Sequence, residues 1–144
     1  MKLLLSLIIA FCIALCGYSQ NLNGESVGNF EKQLVQNIKY PADARRTGIQ
    51  GPVDIEFHLN ANGDLTNFNV VKDIGSTCSK EVEKAIKAIP EDIRKAMATP
   101  DSSAYFGLEV IFGLDEAYKR NEPAAFNSDV IVLTPLVVIG YSIK

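Results

Sequence analysis

The strict alternation of apolar and polar residues between Val53 and Leu59 constrains the fold of this chain more than any other feature. The polar positions of that stretch are Asp54, Glu56 and His58. A period of two predicts a β-strand with one buried face and one solvated face. The residues that follow, NANGD at 60–64, are typical of a tight turn. We therefore expect a second strand at about 65–72 and an antiparallel hairpin.

Helical patterns lie on both sides of this hairpin. Apolar residues at four-residue spacing predict a short helix from Phe30 to about Lys39. A second apolar stripe from Val82 to Met97 is interrupted by Pro90, where we expect a kink or two helices that meet. Residues 104–114 alternate again and predict a third strand. The order predicts an α+β fold, a small antiparallel sheet of about three strands with helices packed on one face.

The N-terminal segment has the pattern of an export signal. The apolar run from Leu3 to Cys16 is about 14 residues long, whereas a membrane-spanning helix needs about 20. Small residues close the run before Gln20, so we expect a signal peptide at 1–19, cleaved between Ser19 and Gln20. An uncleaved membrane anchor is the alternative interpretation.

The remaining chain divides by composition. Residues 20–29 are polar and predict a disordered leader, and residues 30–114 carry the patterns of one domain. Residues 115–129 are polar and indicate a linker. Residues 130–144 form an apolar, β-branched tail that Pro135 divides into two short strands. Because an exposed tail of this kind is prone to aggregation, we expect it to cover a sheet edge of its own chain or of a neighbour.

The sequence lacks the patterns of an enzyme. The chain has 17 acidic and 14 basic residues without a basic stripe, which argues against a nucleic-acid partner. His58 is its single histidine and lies on the expected solvated face, so we predict no metal site and no catalytic set. We likewise expect no cofactor and no small-molecule substrate. Cys78 is the cysteine left after cleavage, and we interpret it as a small buried residue rather than a partner in an inter-chain disulfide.

Several segments together resemble the C-terminal domain of TonB. They are Tyr40-Pro41 with Ala42 and Ala44, Gly48-Ile49-Gln50-Gly51, the alternating strand from Val53 to Phe57, Asn62-Gly63-Asp64, the helix that ends at Ile89-Pro90, and the strand from Leu108 to Phe112. The similarity covers about residues 30–114. A full-length transducer of that family also has an uncleaved N-terminal membrane anchor and a long proline-rich spacer. We expect neither here if the N-terminal segment is cleaved as a signal peptide.

The resemblance implies a non-enzymatic periplasmic module that binds an extended segment of an outer-membrane receptor, or of another envelope protein, by β-strand addition. It implies that Tyr40 and Pro41 lie beside the bound segment, and we add Gln50 to the expected peptide-binding residues. Tyr40-Pro41 is equally well explained as a helix stop with a packed ring. Two other functions remain open. One is self-association through the tail as a homodimer or larger assembly, and the other is an anchored transducer with an uncleaved N-terminal segment.

Overall fold

The computed structural model describes residues 24–98, 104–114, 118, 122–126 and 129–141. In that part of the chain the helices are α1 (Gly24–Asn37), α2 (Ala42–Thr47), α3 (Cys78–Ala88) and α4 (Glu91–Met97), and the strands are β1 (Gly51–Leu59), β2 (Leu65–Lys72), β3 (Tyr105–Leu114), β4 (Val130–Val132) and β5 (Leu136–Gly140). The expected signal peptide at 1–19 lies outside the described residues, as do the start of the expected leader, parts of the expected linker and the last three residues of the tail.

The strands form one sheet in the order β2-β1-β3, and β4 and β5 follow one another along the outer edge of β3. β1 pairs with both of its neighbours in antiparallel orientation, whereas β4 and β5 run parallel to β3. The α+β class is confirmed. The sheet is mixed rather than purely antiparallel, because the chain returns from the end of β3 to its start before the tail begins.

The turn between β1 and β2 forms as the sequence predicts. The side-chain oxygen of Asn60 accepts hydrogen bonds from the backbone N–H groups of Asn62 and Asp64, both at 2.9 Å. Gly63 has a φ of 78°, and a Cβ at this position would lie 2.7 Å from the backbone nitrogen of Lys95. A glycine therefore suits this turn for two reasons, its left-handed backbone and its close approach to α4.

The core lies between the helices and one face of the sheet. Phe57 of β1 is fully buried, with its ring centroid 5.9 Å from that of Phe30 in α1 and 5.3 Å from that of Phe106 in β3. The helical region after the hairpin is divided at Pro90, as expected, into α3 and α4. The apolar alternation of β1 and β3 therefore identified the core face correctly.

The first helix begins earlier than the sequence pattern indicated. α1 starts at Gly24, so residues 24–29 are helical although we expected them to belong to a disordered leader. Glu25 places a negative charge in the first turn, where the helix dipole favours it. Val27 packs against the core cluster. The expectation was wrong for these residues because their composition is polar except for Val27, and the packing of that single side chain was not apparent from the sequence.

The second face of the sheet is buried at its centre, on β1 and on part of β3, in contrast to the solvated face that the alternation predicted. The exposed fractions are 2% for Asp54, 6% for Glu56, 7% for His58 and 2% for Glu109. Two residues of the stretch 115–129, which we expected to be a linker, lie against this face. A Cβ at Gly107 would lie 3.0 Å from the ring of Phe126, and one at Gly113 would lie 3.6 Å from Tyr118.

His58 is accordingly a packed residue rather than a solvent-facing one. Its Nδ1 lies 2.6 Å from the hydroxyl oxygen of Thr66, and its ring centroid lies 5.5 Å from that of Tyr105. The pattern of β1 alone could not reveal this, because the residues that cover the face come from a distant part of the chain.

We predict that Phe57→Ala lowers the free energy of unfolding by about 3–5 kcal/mol, because it leaves a cavity between two aromatic rings. Urea denaturation followed by circular dichroism measures the change. Lys80→Ala on the exposed side of α3 is the control and should change stability by less than about 0.5 kcal/mol. Equal shifts of the two unfolding midpoints would contradict the central position of Phe57.

Candidate peptide-binding edge

The outer edge of β3 is occupied by the tail of the same chain. Tyr105, Phe106 and Gly107 pair with β4, and the residues from Val110 to Leu114 pair with β5. Between the two strands, the backbone N–H of Leu133 donates to the carbonyl of Gly107 at 2.8 Å. The expectation that the tail covers a sheet edge holds, and the edge belongs to its own chain.

The tail binds to this edge through alternate side chains. Leu136, Val138 and Gly140 of β5 face inwards and are buried, and the first two belong to the core cluster. Val137 and Ile139 face outwards and are 55% and 44% exposed. Backbone pairing thus holds the strand at the edge, while every second side chain packs against the core.

Helix α1 holds the break between the two tail strands. The carboxylate of Glu31 accepts a hydrogen bond from the backbone N–H of Thr134 at 3.1 Å. Pro135 follows and has no N–H to donate, so the ladder is interrupted here. Each half of the tail is therefore attached separately to β3.

Tyr40 lies against the end of β5 and is held at both ends. Its hydroxyl donates to the carbonyl of Ile49 at 2.6 Å, and its ring meets Phe112 of β3 edge-on with a centroid distance of 5.2 Å. Burial, with a smaller contribution from the nearby Cys78, raises the pKa of the Tyr40 phenol. The hydroxyl therefore remains a neutral donor at physiological pH.

Gly140 is the tail residue that meets Tyr40. A Cβ added at Gly140 would lie 2.6 Å from Cδ2 and 3.0 Å from Cγ of the Tyr40 ring, and 3.1 Å from Cδ of Arg45. Carbon atoms pack at about 3.5–4.0 Å, so a side chain at this position would overlap the ring. The strand can pass over Tyr40 only because this residue is a glycine.

The other two expected site residues lie next to this contact. The side-chain oxygen of Gln50 accepts a hydrogen bond from the backbone N–H of Leu114 at 3.2 Å, at the end of β3. Pro41 is buried and caps the start of α2, where its carbonyl accepts from the N–H of Arg45 at 3.0 Å. Tyr40 and Gln50 thus lie near the same end of the β3 edge, and Pro41 is at the start of α2 beside them.

Sequence reasoning missed Arg45, Phe112 and Gly140 as parts of this site. The glycine offered a usable signal, because a glycine inside a β-branched strand often marks a close approach of the backbone to another group. Arg45 and Phe112 offered none, since an arginine on a short helix and a core phenylalanine are common in any domain.

Cys78 is a buried thiol at the start of α3. Desolvation, followed by the negative charges of Asp73, Asp43 and Glu81, raises its pKa from 9.0 to about 11. A protonated, inaccessible thiol is a poor nucleophile, which fits the interpretation of Cys78 as a small packed residue.

The described residues carry no sign of a metal centre or of a membrane crossing. Among them, His, Cys, Asp and Glu side chains form no group of three or more that could hold a metal ion. Within the same ranges, no helix has both the length and the apolar character required to span a bilayer.

Known proteins are similar to the region of this chain that includes most of β3. Residues 36–112 match the family model described as the Gram-negative bacterial TonB protein C-terminal. Protein TonB of Helicobacter pylori strain J99 is 25% identical over 99 residues, which make up 69% of this chain and 34% of that protein. The matched region thus spans about a third of that relative. The solution structure of the Helicobacter pylori TonB C-terminal domain has a TM-score of 0.46 at 21% identity, covering 61% of this chain and 92% of that one.

We predict that Tyr40→Phe lowers the free energy of unfolding by about 1 kcal/mol, because it removes the hydrogen bond to the carbonyl of Ile49. Thermal and urea denaturation measure the effect. Tyr141→Phe is the matched control, since Tyr141 is 75% exposed and should tolerate the same change. Equal stability of both variants and the unmodified chain would mean that the hydroxyl bond contributes nothing.

We predict that Cys78 makes stability depend on pH in the alkaline range. Because the folded pKa of about 11 exceeds the unfolded value of 9.0, the native state holds the proton more tightly. Its contribution is complete below pH 9 and is lost as the pH rises through 11. The difference in unfolding free energy between the unmodified chain and Cys78→Ala should therefore shrink between pH 9 and 11 in urea titrations. A difference that stays constant over that range would contradict the shift.

Proposed function

This chain belongs to the Gram-negative TonB protein C-terminal family, and we propose on that premise that it is a non-enzymatic protein-binding module of the periplasm. It binds an extended segment of an outer-membrane receptor, or of another envelope protein, and it acts in transport linked to TonB. The binding mode is addition of that segment as a strand to the outer edge of β3.

The observation that carries this proposal is the strand already present at that edge. β5 pairs with Val110 to Leu114 as an extended segment, and α1 and Tyr40 contact it from the side of the core. Backbone groups supply the pairing, so a segment from another protein with a suitable side-chain pattern can take the same place. The edge can therefore accommodate a strand, and in this structure that strand is β5 of the same chain.

Binding of a partner at this edge requires displacement of β5. A tail joined to its own domain has an effective concentration in the millimolar range for a short flexible connection. A free peptide must compete with that concentration, so the affinity of the resting chain is low. Release of β5 alone uncovers Val110 to Leu114, because β4 is attached separately through its own pairing with residues 105–107.

A second candidate function is self-association through the tail. The outward side chains Val132, Val137, Ile139 and Tyr141 are between 44% and 75% exposed, which places apolar surface along one rim of the molecule. Exchange of β5 between two copies would use the same pairing with β3 in trans. Sedimentation at several protein concentrations separates the two functions, because exchange makes the mass concentration-dependent.

We predict that a disulfide between β3 and β5 abolishes binding of receptor segments. Ile111 and Val137 are register partners in neighbouring strands, a Cα separation that a disulfide can span. The variant Ile111→Cys with Val137→Cys, made with Cys12→Ser and Cys16→Ser, should not bind a synthetic receptor segment when oxidised and should bind it when reduced. Calorimetric titration measures both states.

The single variant Ile111→Cys in the same background is the control and should bind under both conditions. If the oxidised double variant binds as tightly as the reduced one, the partner does not use the β3 edge. Failure of all variants to bind any receptor segment would favour self-association.

A further inference from the structure

The proximity of Gly140 to Tyr40 has no role in backbone pairing, yet it leaves no room for a side chain at position 140. Tyr40 cannot move away easily, because its hydroxyl is bonded to Ile49 and its ring lies against Phe112. The other neighbour, Arg45, approaches with an aliphatic carbon of a flexible side chain. The ring therefore sets a fixed limit on the size of the residue above it.

Two further residues of the same strand pack their side chains into the core. Leu136 and Val138 are 7% and 9% exposed and lie in the core cluster on the face that Gly140 shares. The side chains between them point outwards and are exposed. The inward-facing residues are thus two apolar residues followed by a glycine. One outward-facing residue lies between each of them and the next.

We propose that Tyr40 selects the segments that the β3 edge accepts, by requiring glycine at the position opposite Leu114. The accepted ligand is an extended peptide, parallel to β3, with apolar residues four and two positions before that glycine. The residues from Leu136 to Gly140 are a copy of this ligand within the chain. The inference rests on the proposed function, since it names the sequence class that strand addition at this edge takes.

A physical consequence is that one methyl group decides occupancy of the edge. Alanine at position 140 brings its Cβ into overlap with the Tyr40 ring, so β5 loses its fit while β4 and the rest of the sheet keep theirs. The full-length Gly140→Ala chain should then present an open β3 edge from Val110 to Leu114. The edge of the unmodified chain is closed by its own copy of the ligand.

The first measurement is hydrogen exchange on full-length chains. In Gly140→Ala, the amides of residues 136–140 should exchange at least tenfold faster than in the unmodified chain, while those of β1 should not change. Ile139→Ala is the control, because its outward side chain leaves the inward contacts intact. Unchanged exchange in Gly140→Ala would overturn the glycine requirement.

The second measurement is binding of a synthetic peptide with the sequence TPLVVIGY, residues 134–141 of this chain. It should bind the Gly140→Ala chain at least tenfold more tightly than it binds the unmodified chain, where the tail competes. The same peptide with alanine in place of glycine should bind the Gly140→Ala chain at least tenfold more weakly. Equal affinity of the two peptides would overturn the selection by Tyr40 and leave strand addition intact.

A chain with both Tyr40→Ala and Gly140→Ala tests the origin of the selection. Without the ring, β5 should return to the edge, and its amides should regain protection against exchange. If this chain is unfolded by circular dichroism, the comparison of the two peptides still decides the proposal. A Gly140→Ala chain that releases its tail and binds neither peptide would instead contradict strand addition itself, and with it the proposed function.

Discussion

The antiparallel pairing of β1 with β3 is the interaction on which the rest of the structure depends. β1 also pairs with β2, and all nine of its residues are buried. Its core-facing side chains pack against the helices, and its other face lies near residues of the stretch after β3. The other strands of the sheet are therefore positioned by β1, either directly or through β3. The tail is the clearest case, because β3 can offer an outer edge only while its inner edge is paired with β1.

The fold could be predicted wherever the determining pattern is local. The hairpin follows from the alternation in β1 and from the turn residues around Gly63, and the division at Pro90 follows from the missing N–H of one residue. The direction of the tail could not be predicted, because parallel and antiparallel pairing demand the same β-branched composition. The burial of Asp54 and Glu56 could not be predicted either, since Tyr118 and Phe126, which lie against the same face of the sheet, come about 60–70 positions later in a stretch with the polar composition of a linker.

The candidate site could be predicted only in part, and for the same reason. Tyr40 and Gln50 were found through a resemblance that spans the domain, and both lie at the end of the β3 edge. Their contacts with Gly140 and with Leu114 depend on where the chain returns, which no short motif records. Tyr40 also proves to be a packing residue, with a bonded hydroxyl and an aromatic neighbour. Of the two interpretations that the sequence left open, the structure shows the packed ring after the helix, and contact of Tyr40 with a bound segment stays a prediction.

The position of β5 in the chain has a consequence for refolding. Until the tail has paired with β3, the partly folded domain has an open sheet edge, and such an edge can pair with another chain. Roughly 20 residues separate the end of β3 from the start of β5, so closing the edge forms a loop of modest entropic cost. The cover is tethered beside the edge that it closes, and edge-to-edge pairing of two refolding copies has to compete with that intramolecular step.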